Sequence, residues 1–402
     1  MKKLLFVINT LGTGGAEVAL FELLRRIDKS EFDVSLFVLF NQGELLERLP
    51  KGVRLLNTGF DDTPIHTAEG QRRLRKKVIS AFFKNLNGFK LLGYMLSNYR
   101  IMRKKGEVKA DKLFWRLIAD SAPRFDEKFD MAIAYIEGGS TYYVKDYVNA
   151  DVKKAFVHID YSLAGYTRKL DRDCYTVFDN IYTVSDTVKE SLLKEYPEVA
   201  DRTEIFENLI DSDMIESKSL EAGGFDDDFD GPRILSMGRL NAQKSFEISV
   251  DAMEEIVKKG INAKWYVLGE GDQRQMLEER IAKKGLEDKF VLLGNKQNPF
   301  PYLRQCDLYV HASRFEGKSL AIREAMVLKC PVVVTDCGGN RELIDDGVNG
   351  LICEIDPSDL SDKVIKMLSD PEKARVMGEK AREAVLRVIQ NPDGIERLVG
   401  RA

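Results

Sequence analysis

The chain has 402 residues, 44% of them apolar and 31% charged, with 61 Lys and Arg against 65 Asp and Glu. At about 150 residues per domain that is two to three domains, enough to bury large cores without disulfides or a structural metal. The composition excludes wholesale disorder, the formal charge of −4 argues against nucleic acid as a partner, and no apolar run reaches the roughly 18 residues of a membrane span.

Met1-Lys2-Lys3 leads at once into a short apolar run and a glycine turn, without the apolar core and small-residue cleavage site of a secretory signal. Five scattered cysteines and three histidines build neither a Cys-x-x-Cys pair nor a zinc spacing. The expectation is a cytoplasmic chain with reduced thiols, no metal and no other cofactor.

Short apolar runs alternate with amphipathic stretches, the pattern of an α/β protein with parallel sheets. The first half predicts strands at Leu4–Ile8, Val34–Leu39, Val53–Leu56, Met131–Tyr135, Ala155–Val157, Ile181–Val184 and Thr203–Phe206. The second half predicts Ile234–Met237, Trp265–Leu268, Phe290–Leu293, Leu308–Val310, Val332–Thr335 and Gly350–Ile352. Between them, residues 211–231 hold few apolar side chains and the acidic run Asp226-Asp-Asp-Phe-Asp230, the composition of a linker. The division is therefore residues 1–210, the linker, residues 232–375, and a helical stretch 376–402 without a further strand.

Residues 72–116 stand apart. They carry 14 Lys and Arg against Glu107 and Asp111. Phe82, Phe83, Leu86, Phe89, Leu92, Met95 and Leu96 recur there at helical spacing. The plain reading is a helical insertion, about residues 66–120, whose apolar stripe packs on the first sheet while its lysines are solvated. The sharper reading is a basic amphipathic surface for anionic lipid. The two are compatible.

The chemistry-bearing residues cluster after strands. Gly12, Gly14 and Gly15 close the first strand and open a helix, a turn that lets backbone approach a ligand; the third glycine of a dinucleotide fingerprint is missing. Gly238-Arg239-Leu240-Asn-Ala-Gln243-Lys244-Ser245 nearly copies a phosphate loop, with Gln243 in place of the second glycine. What remains is Arg239 and Lys244 just past a strand's carboxyl end, where open α/β sheets bind ligands and two cations are able to neutralise a diphosphate. In His311-Ala-Ser313-Arg-Phe-Glu316-Gly317-Lys318-Ser319 a strand and a turn precede a helix starting near Ser319. The amides of Lys318, Ser319 and Leu320 would then form an anion site, with Glu316 before the helix and Glu324 inside it placed to hold hydroxyls.

The stretch from Arg233 to about Leu368 resembles the nucleotide-sugar-binding domain of retaining glycosyltransferases of the GT-B fold, family 4 (glycosyl transferases group 1). The elements are Gly238-Arg239-Leu with Lys244, Gly269-Glu-Gly271, Glu316-x7-Glu324, and Gly338-Gly339-Asn-Arg-Glu342 through Gly350. Gly14-Gly15-Ala16-Glu17 resembles the family's first turn. Ile136-Glu137-Gly138 and Val157-His158-Ile159-Asp160 are similar to its branch that builds capsular and cell-surface polysaccharide. The resemblance implies two Rossmann-like parallel-sheet domains facing across a cleft, the first on the acceptor side, with the last helix crossing back to it. It also implies a sugar moved from a nucleotide-sugar donor to a lipid-linked or polysaccharide acceptor, without a metal. Arg239 and Lys244 would bind the diphosphate, Glu324 the ribose, and Glu316 the transferred sugar. Lys318, Ser319 and Leu320 would offer amides; Gly294, Asn295 and Asn298 would hold the base; Gly14 and Gly15 would close over the donor, and His158 would touch the sugar. Lys318 departs from the family, which commonly has an apolar residue there. Neither Asp226-Asp-Asp228 nor Asp171-Arg-Asp173 follows an apolar strand, as a metal-dependent transferase of the other common fold requires. An epimerase on the same scaffold and a non-catalytic nucleotide-sugar binder are the alternatives. The expected location is the cytoplasm, or the inner face of the cell membrane if residues 72–116 take up lipid.

Overall fold

Apolar runs bounded by turn residues become two all-parallel sheets in the computed structural model, which describes residues 1–65, 67–84, 87–104, 110–389 and 393–400. The first sheet holds β1 (Lys2–Ile8), β2 (Phe32–Val38), β3 (Val53–Leu55), β4 (Phe129–Ala134), β5 (Ala150–Val157), β6 (Asn180–Thr183) and β7 (Thr203–Ile205), in the order β3-β2-β1-β4-β5-β6-β7. The second holds β8 (Arg233–Met237), β9 (Lys264–Leu268), β10 (Phe290–Gly294), β11 (Leu308–His311), β12 (Val332–Thr335) and β13 (Leu351–Cys353), in the order β10-β9-β8-β11-β12-β13. Every predicted strand forms. Continuous apolar runs are explained by helices covering both faces: Leu4 to Ile8 are fully buried.

The first unit's helices are α1 (Gly15–Arg26), α2 (Ala68–Phe83), α3 (Asn87–Lys90), α4 (Leu92–Lys104), α5 (Ala110–Ser121), α6 (Gly139–Tyr147), α7 (Arg168–Asp171) and α8 (Asp186–Glu195). The second unit's are α9 (Ser212–Ser219), α10 (Phe246–Lys258), α11 (Arg274–Lys283), α12 (Phe300–Gln305), α13 (Leu320–Val327), α14 (Gly338–Arg341), α15 (Pro357–Ser369) and α16 (Pro371–Ile389). A last helix, α17 (Asp393–Val399), belongs to the first unit, which comprises residues 1–208 and 392–402; the second comprises 209–391.

Two boundaries differ from the sequence expectation. Residues 211–231 are not a linker but part of the second unit. Asp211 caps α9 by accepting the Met214 amide at 2.9 Å, and Ile215 is buried. In the acidic run, Asp227 accepts Arg233 (3.0 Å), Lys264 (3.2 Å) and the Tyr266 hydroxyl (2.5 Å), so three donors bind a segment whose composition reads as solvent-facing. The return to the first unit also starts later than residue 376. Helix α16 buries Met377, Ala381 and Val385 within the second unit, whereas α17 accepts the buried Lys154 ammonium on the Leu398 carbonyl at 2.7 Å.

The basic insertion is helical, as α2 to α5, but its apolar stripe divides. Phe82 and Met95 pack on the first core, while Phe83, Phe89, Leu92 and Leu96 are exposed. Leu86 and His66 lie outside the described residues. The anchored side runs through Tyr94, whose hydroxyl donates to the Leu170 carbonyl at 2.6 Å.

That carbonyl neighbours a buried carboxyl. Asp171 accepts hydrogen bonds from the Tyr142 and Tyr161 hydroxyls within an aromatic cluster that includes Tyr175 and Tyr196. Burial pushes the Asp171 carboxyl up to about 7, against the lowering effect of the two hydroxyls. An unfolded Asp titrates near 4, so the folded state holds this proton more tightly. The resulting stability is complete below about pH 4 and is lost as pH rises through about 7. Compared by denaturant unfolding, wild type should lose a few kcal/mol more than Asp171→Asn between pH 4 and 8; parallel pH profiles would remove Asp171 from this role.

Candidate functional site

In each sheet two central strands adjacent in space are not consecutive in sequence, β1 beside β4 and β8 beside β11. Chain connections leave such a pair toward opposite sides, which opens a crevice at the carboxyl ends of the strands. The residues expected to carry chemistry sit at these two edges.

In the second unit the loops after β8 and β11 meet. The Lys244 ammonium donates to Glu316 Oε1 at 2.5 Å and lies 3.2 Å from His311 Nε2. The same oxygen receives the Ser313 hydroxyl at 2.6 Å and faces His311 Nε2 at 3.0 Å. On the ring's far side, His311 Nδ1 lies 3.0 Å from the Tyr309 hydroxyl. Burial first, and then the Lys244 charge, lowers the His311 imidazole, although Glu316 pulls the other way. A neutral ring fits every contact to Glu316 and Tyr309 if Nε2–H donates to the carboxylate and Nδ1 accepts the hydroxyl. Burial opposes ionisation of Glu316, but the Lys244 charge and the hydrogen bonds from His311 and Lys244 hold its carboxyl well below the usual range.

Backbone contacts keep the two loops together. Asn241 accepts the Lys244 amide at 3.2 Å, Gln243 donates its side chain to the Phe315 carbonyl at 2.9 Å, and the Arg314 amide donates to the Gln243 carbonyl at 2.8 Å. Gln243, which spoils the phosphate-loop pattern, is thus the tie between the loops. Ser245 follows at φ +47°, a left-handed conformation for a residue with a Cβ. The neighbouring glycines are required by space: a Cβ on Gly269 would lie 1.9 Å from the Gly238 carbonyl oxygen, and one on Gly339 would lie 2.2 Å from that of Gly317.

Helix α13 begins one residue later than expected. Ser319 is its cap, the hydroxyl accepting the Ile322 amide at 3.5 Å, so the open amides belong to Leu320 and Ala321 and the Lys318 amide precedes the helix. Glu324, on the second turn, is partly exposed and accepts no side-chain hydrogen bond among the described residues; burial pushes its carboxyl up to about 7. Burial, and then the charges of Glu324 and Glu316, hold the Tyr309 hydroxyl well above its ordinary value, so this tyrosine stands within the field of both carboxylates. Arg239 is exposed and makes no ion pair among the described residues. Gly294 takes φ +72° at the end of β10, and Asn295 is exposed. Asn298 is committed elsewhere, donating at 2.8 Å to both the Lys218 carbonyl and Glu221 and accepting the Phe300 amide at 3.2 Å. That use departs from the expected hold on a base.

In the first unit Asn9, at the end of β1, ties this loop to the one after β4. Its Oδ1 accepts the Ser140 amide at 2.9 Å and its Nδ2 donates to the Glu137 carbonyl at 3.2 Å. Gly14 caps α1 and Gly15 is the exposed first residue of that helix. His158 follows β5, its amide donating to Glu137 Oε2 at 3.0 Å and its ring stacked on Phe156. Burial lowers the imidazole to about 4, against a backbone hydrogen bond at Tyr135, and raises the Glu137 carboxyl. Nε2 of His158 is buried without a partner among the described residues, so a neutral ring nitrogen remains for a ligand. The ties made by Gln243 and Asn9 have no local signature in the sequence; for His311 and Ser313 the signal is that both follow β11 on the same turn as Glu316.

Comparison with known proteins gives the following. Residues 226–384 match the family glycosyl transferases group 1. A Campylobacter jejuni protein, N-acetylgalactosamine-N,N'-diacetylbacillosaminyl-diphospho-undecaprenol 4-alpha-N-acetylgalactosaminyltransferase, is 27% identical over 93% of this chain and 92% of its own. A Staphylococcus aureus poly(ribitol-phosphate) alpha-N-acetylglucosaminyltransferase is 31% identical over 37% of this chain and 31% of its own. Among solved structures, Anabaena HepE in complex with UDP and glucose superposes with a TM-score of 0.68 at 17% identity, over 99% of this chain and 98% of its own. Sucrose-phosphate synthase from Thermosynechococcus elongatus does so with a TM-score of 0.66 at 16% identity, over 100% and 98%. At these identities the structural likeness establishes the fold.

With side chains only 17% and 9% exposed, Lys244 and Glu316 form a pair whose single partners cannot be removed cheaply. Lys244→Met and Glu316→Gln should each cost about 3–5 kcal/mol in denaturant unfolding, and the double variant less than their sum. Strictly additive losses would mean that the two groups do not stabilise each other.

Proposed function

We propose that this chain, a glycosyltransferase of group 1 with the two-domain GT-B fold, moves a sugar from a nucleotide-sugar donor to a lipid-linked or polysaccharide acceptor, with retention of anomeric configuration and without a metal, as a family 4 enzyme of cell-surface glycan synthesis. The observation that carries the reading is the Lys244 ammonium held against Glu316 at the crevice beyond β8 and β11, beside the open start of α13. The bond to break is the anomeric C–O bond. Its electron pair goes to the diphosphate, where Lys244, Arg239 and the Leu320 and Ala321 amides supply positive charge. Fixed charge of this kind is commonly the largest catalytic term. The leaving phosphate then takes the acceptor hydroxyl's proton as that oxygen bonds to the same face of the sugar.

Glu324 is the candidate for the ribose hydroxyls, since its carboxyl accepts no side-chain hydrogen bond among the described residues. Glu316 keeps Oε2 for a sugar hydroxyl while Oε1 holds Lys244. Nε2 of His158 is the candidate sugar contact from the first unit. The acceptor class is supported by the Campylobacter relative, whose name specifies a diphospho-undecaprenol-linked substrate and whose match runs through both units. The bound UDP of the HepE structure makes uridine diphosphate sugars the first donors to assay. A cytoplasmic enzyme working at the inner membrane face fits an acceptor carried on lipid. No helix among the described residues is long and apolar enough to cross a membrane.

With the cognate donor and a polyprenyl-diphosphate glycan as acceptor, Lys244→Ala should lower kcat by about 10²–10³. An unchanged kcat would exclude Lys244 from the chemistry. Transfer should persist in excess chelator, and its loss there would show that a divalent cation takes part. Because the free Glu324 carboxyl titrates near 7 and hydroxyls donate best to its ionised form, donor affinity should weaken as pH falls from about 8 to 6. Glu324→Gln should abolish that dependence; a wild-type donor Kd independent of pH would refute the ribose assignment.

A further inference from the structure

Six of the twelve exposed large apolar side chains among the described residues lie between Ile79 and Tyr99. The concentration is not an accident of a loose helix, because the opposite side of the same segment is anchored. Phe82 and Met95 pack on the first core, and Tyr94 is hydrogen-bonded to the Leu170 carbonyl.

One set of exposed residues on each of two helices shares a spacing: Arg72, Lys76, Ile79 and Phe83 on α2, and Leu92, Leu96, Tyr99 and Arg103 on α4. Steps of four, three and four residues keep each set on one helix face. The two sets run in opposite order. Cations come first on α2 and last on α4, so the apolar members of both converge on the connection that carries Phe89. Phe82 links that connection, its ring centroid 5.4 Å from Phe83 and 5.5 Å from Phe89.

From Arg72 to Lys104 the chain has ten Lys and Arg and no Asp or Glu. Arg73 and Lys77 are engaged by carboxylates outside that stretch, and Lys84 by the Ser121 carbonyl. The other seven are exposed and make no ion pair among the described residues.

We infer that α2, α3 and α4 form a membrane-docking face: the exposed apolar side chains at the α2–α4 connection enter the acyl boundary of an anionic phospholipid bilayer while Arg72, Lys76 and Arg103 meet its headgroups. The inference rests on the lipid-linked acceptor reading and names the surface through which the enzyme reaches it. An apolar centre flanked by unpaired cations is the arrangement that a bilayer with negative headgroups complements. A second copy of the chain is disfavoured as occupant, because it would bring the same unpaired cations against these and like charges repel.

The test is co-sedimentation of the full chain with vesicles of phosphatidylglycerol and phosphatidylcholine, against vesicles of phosphatidylcholine alone. Wild type should pellet with the anionic vesicles at low salt and be only partly released by high salt, since insertion of apolar groups is not screened. Phe83→Ser/Leu96→Ser should abolish the salt-resistant fraction. Arg72→Glu/Lys76→Glu/Arg103→Glu should weaken binding to anionic vesicles by about ten-fold or more. All these positions are exposed, so thermal unfolding should be unchanged, and transfer to a short-chain, water-soluble acceptor analogue should proceed at the wild-type rate.

Absence of binding at low salt, or equal binding by wild type and both variants, overturns the inference. So does a concentration-dependent dimer that Phe83→Ser/Leu96→Ser dissolves, which would assign the face to a second copy. Loss of vesicle binding by wild type with transfer to the soluble analogue intact rejects the docking face alone. No transfer from any nucleotide sugar to either acceptor rejects the function on which it rests.

Discussion

An ammonium group held in a largely dry crevice by a single carboxylate oxygen is the constraint around which the second unit is organised. Lys244 and Glu316 come from loops 72 residues apart, and both charges are mostly removed from water. Such a pair is tolerated only when its remaining lone pairs and protons are satisfied. Ser313 and His311 do this for Glu316, and Tyr309 does it for His311. The neutral histidine matters, because a second cation beside Lys244 would repel it. Gln243 locks the two loops in register through the Phe315 carbonyl and the Arg314 amide. The result is an ammonium group held in one position at a sheet edge by the groups around it.

The first unit meets the same problem with fewer charges. Asn9 spans the loops after β1 and β4 with two hydrogen bonds, and Glu137 accepts the His158 amide. Burial leaves His158 neutral with one ring nitrogen unpartnered among the described residues, a group suited to a hydroxyl rather than to a phosphate. Behind it, Asp171 and its tyrosines form a buried polar core from which the Leu170 carbonyl reaches Tyr94 of the basic insertion. The insertion is therefore fixed on one side and apolar and cationic on the other, which is why its exposed aromatics are held in place rather than collapsed onto the core.

The likeness to known proteins reaches both halves of the chain. The group 1 match lies in residues 226–384, the part containing Lys244, Glu316 and Glu324. The Campylobacter relative extends the likeness through the first half as well. The first half also carries the insertion with its excess of cations and its exposed apolar side chains.

Parallel strands buried on both faces must be continuous apolar runs, so every strand was legible from the order of apolar residues alone, and with the strands the two-sheet fold. Glycines that admit backbone contact, such as Gly269 and Gly339, and carboxylates placed after strand ends were legible for the same reason: local chemistry requires them where they stand. Partnership was not. Whether residues 211–231 are a linker depended on Arg233, Lys264 and Tyr266 being in reach of Asp227. Whether Asn298 was available for a base depended on Lys218 and Glu221. Whether the stripe at Phe83, Phe89, Leu92 and Leu96 was core or surface depended on how many faces α5 and the sheet could cover. Hydrogen bonds and ion pairs between residues far apart in the chain are set by the crossing of strands, and no window of sequence contains both partners.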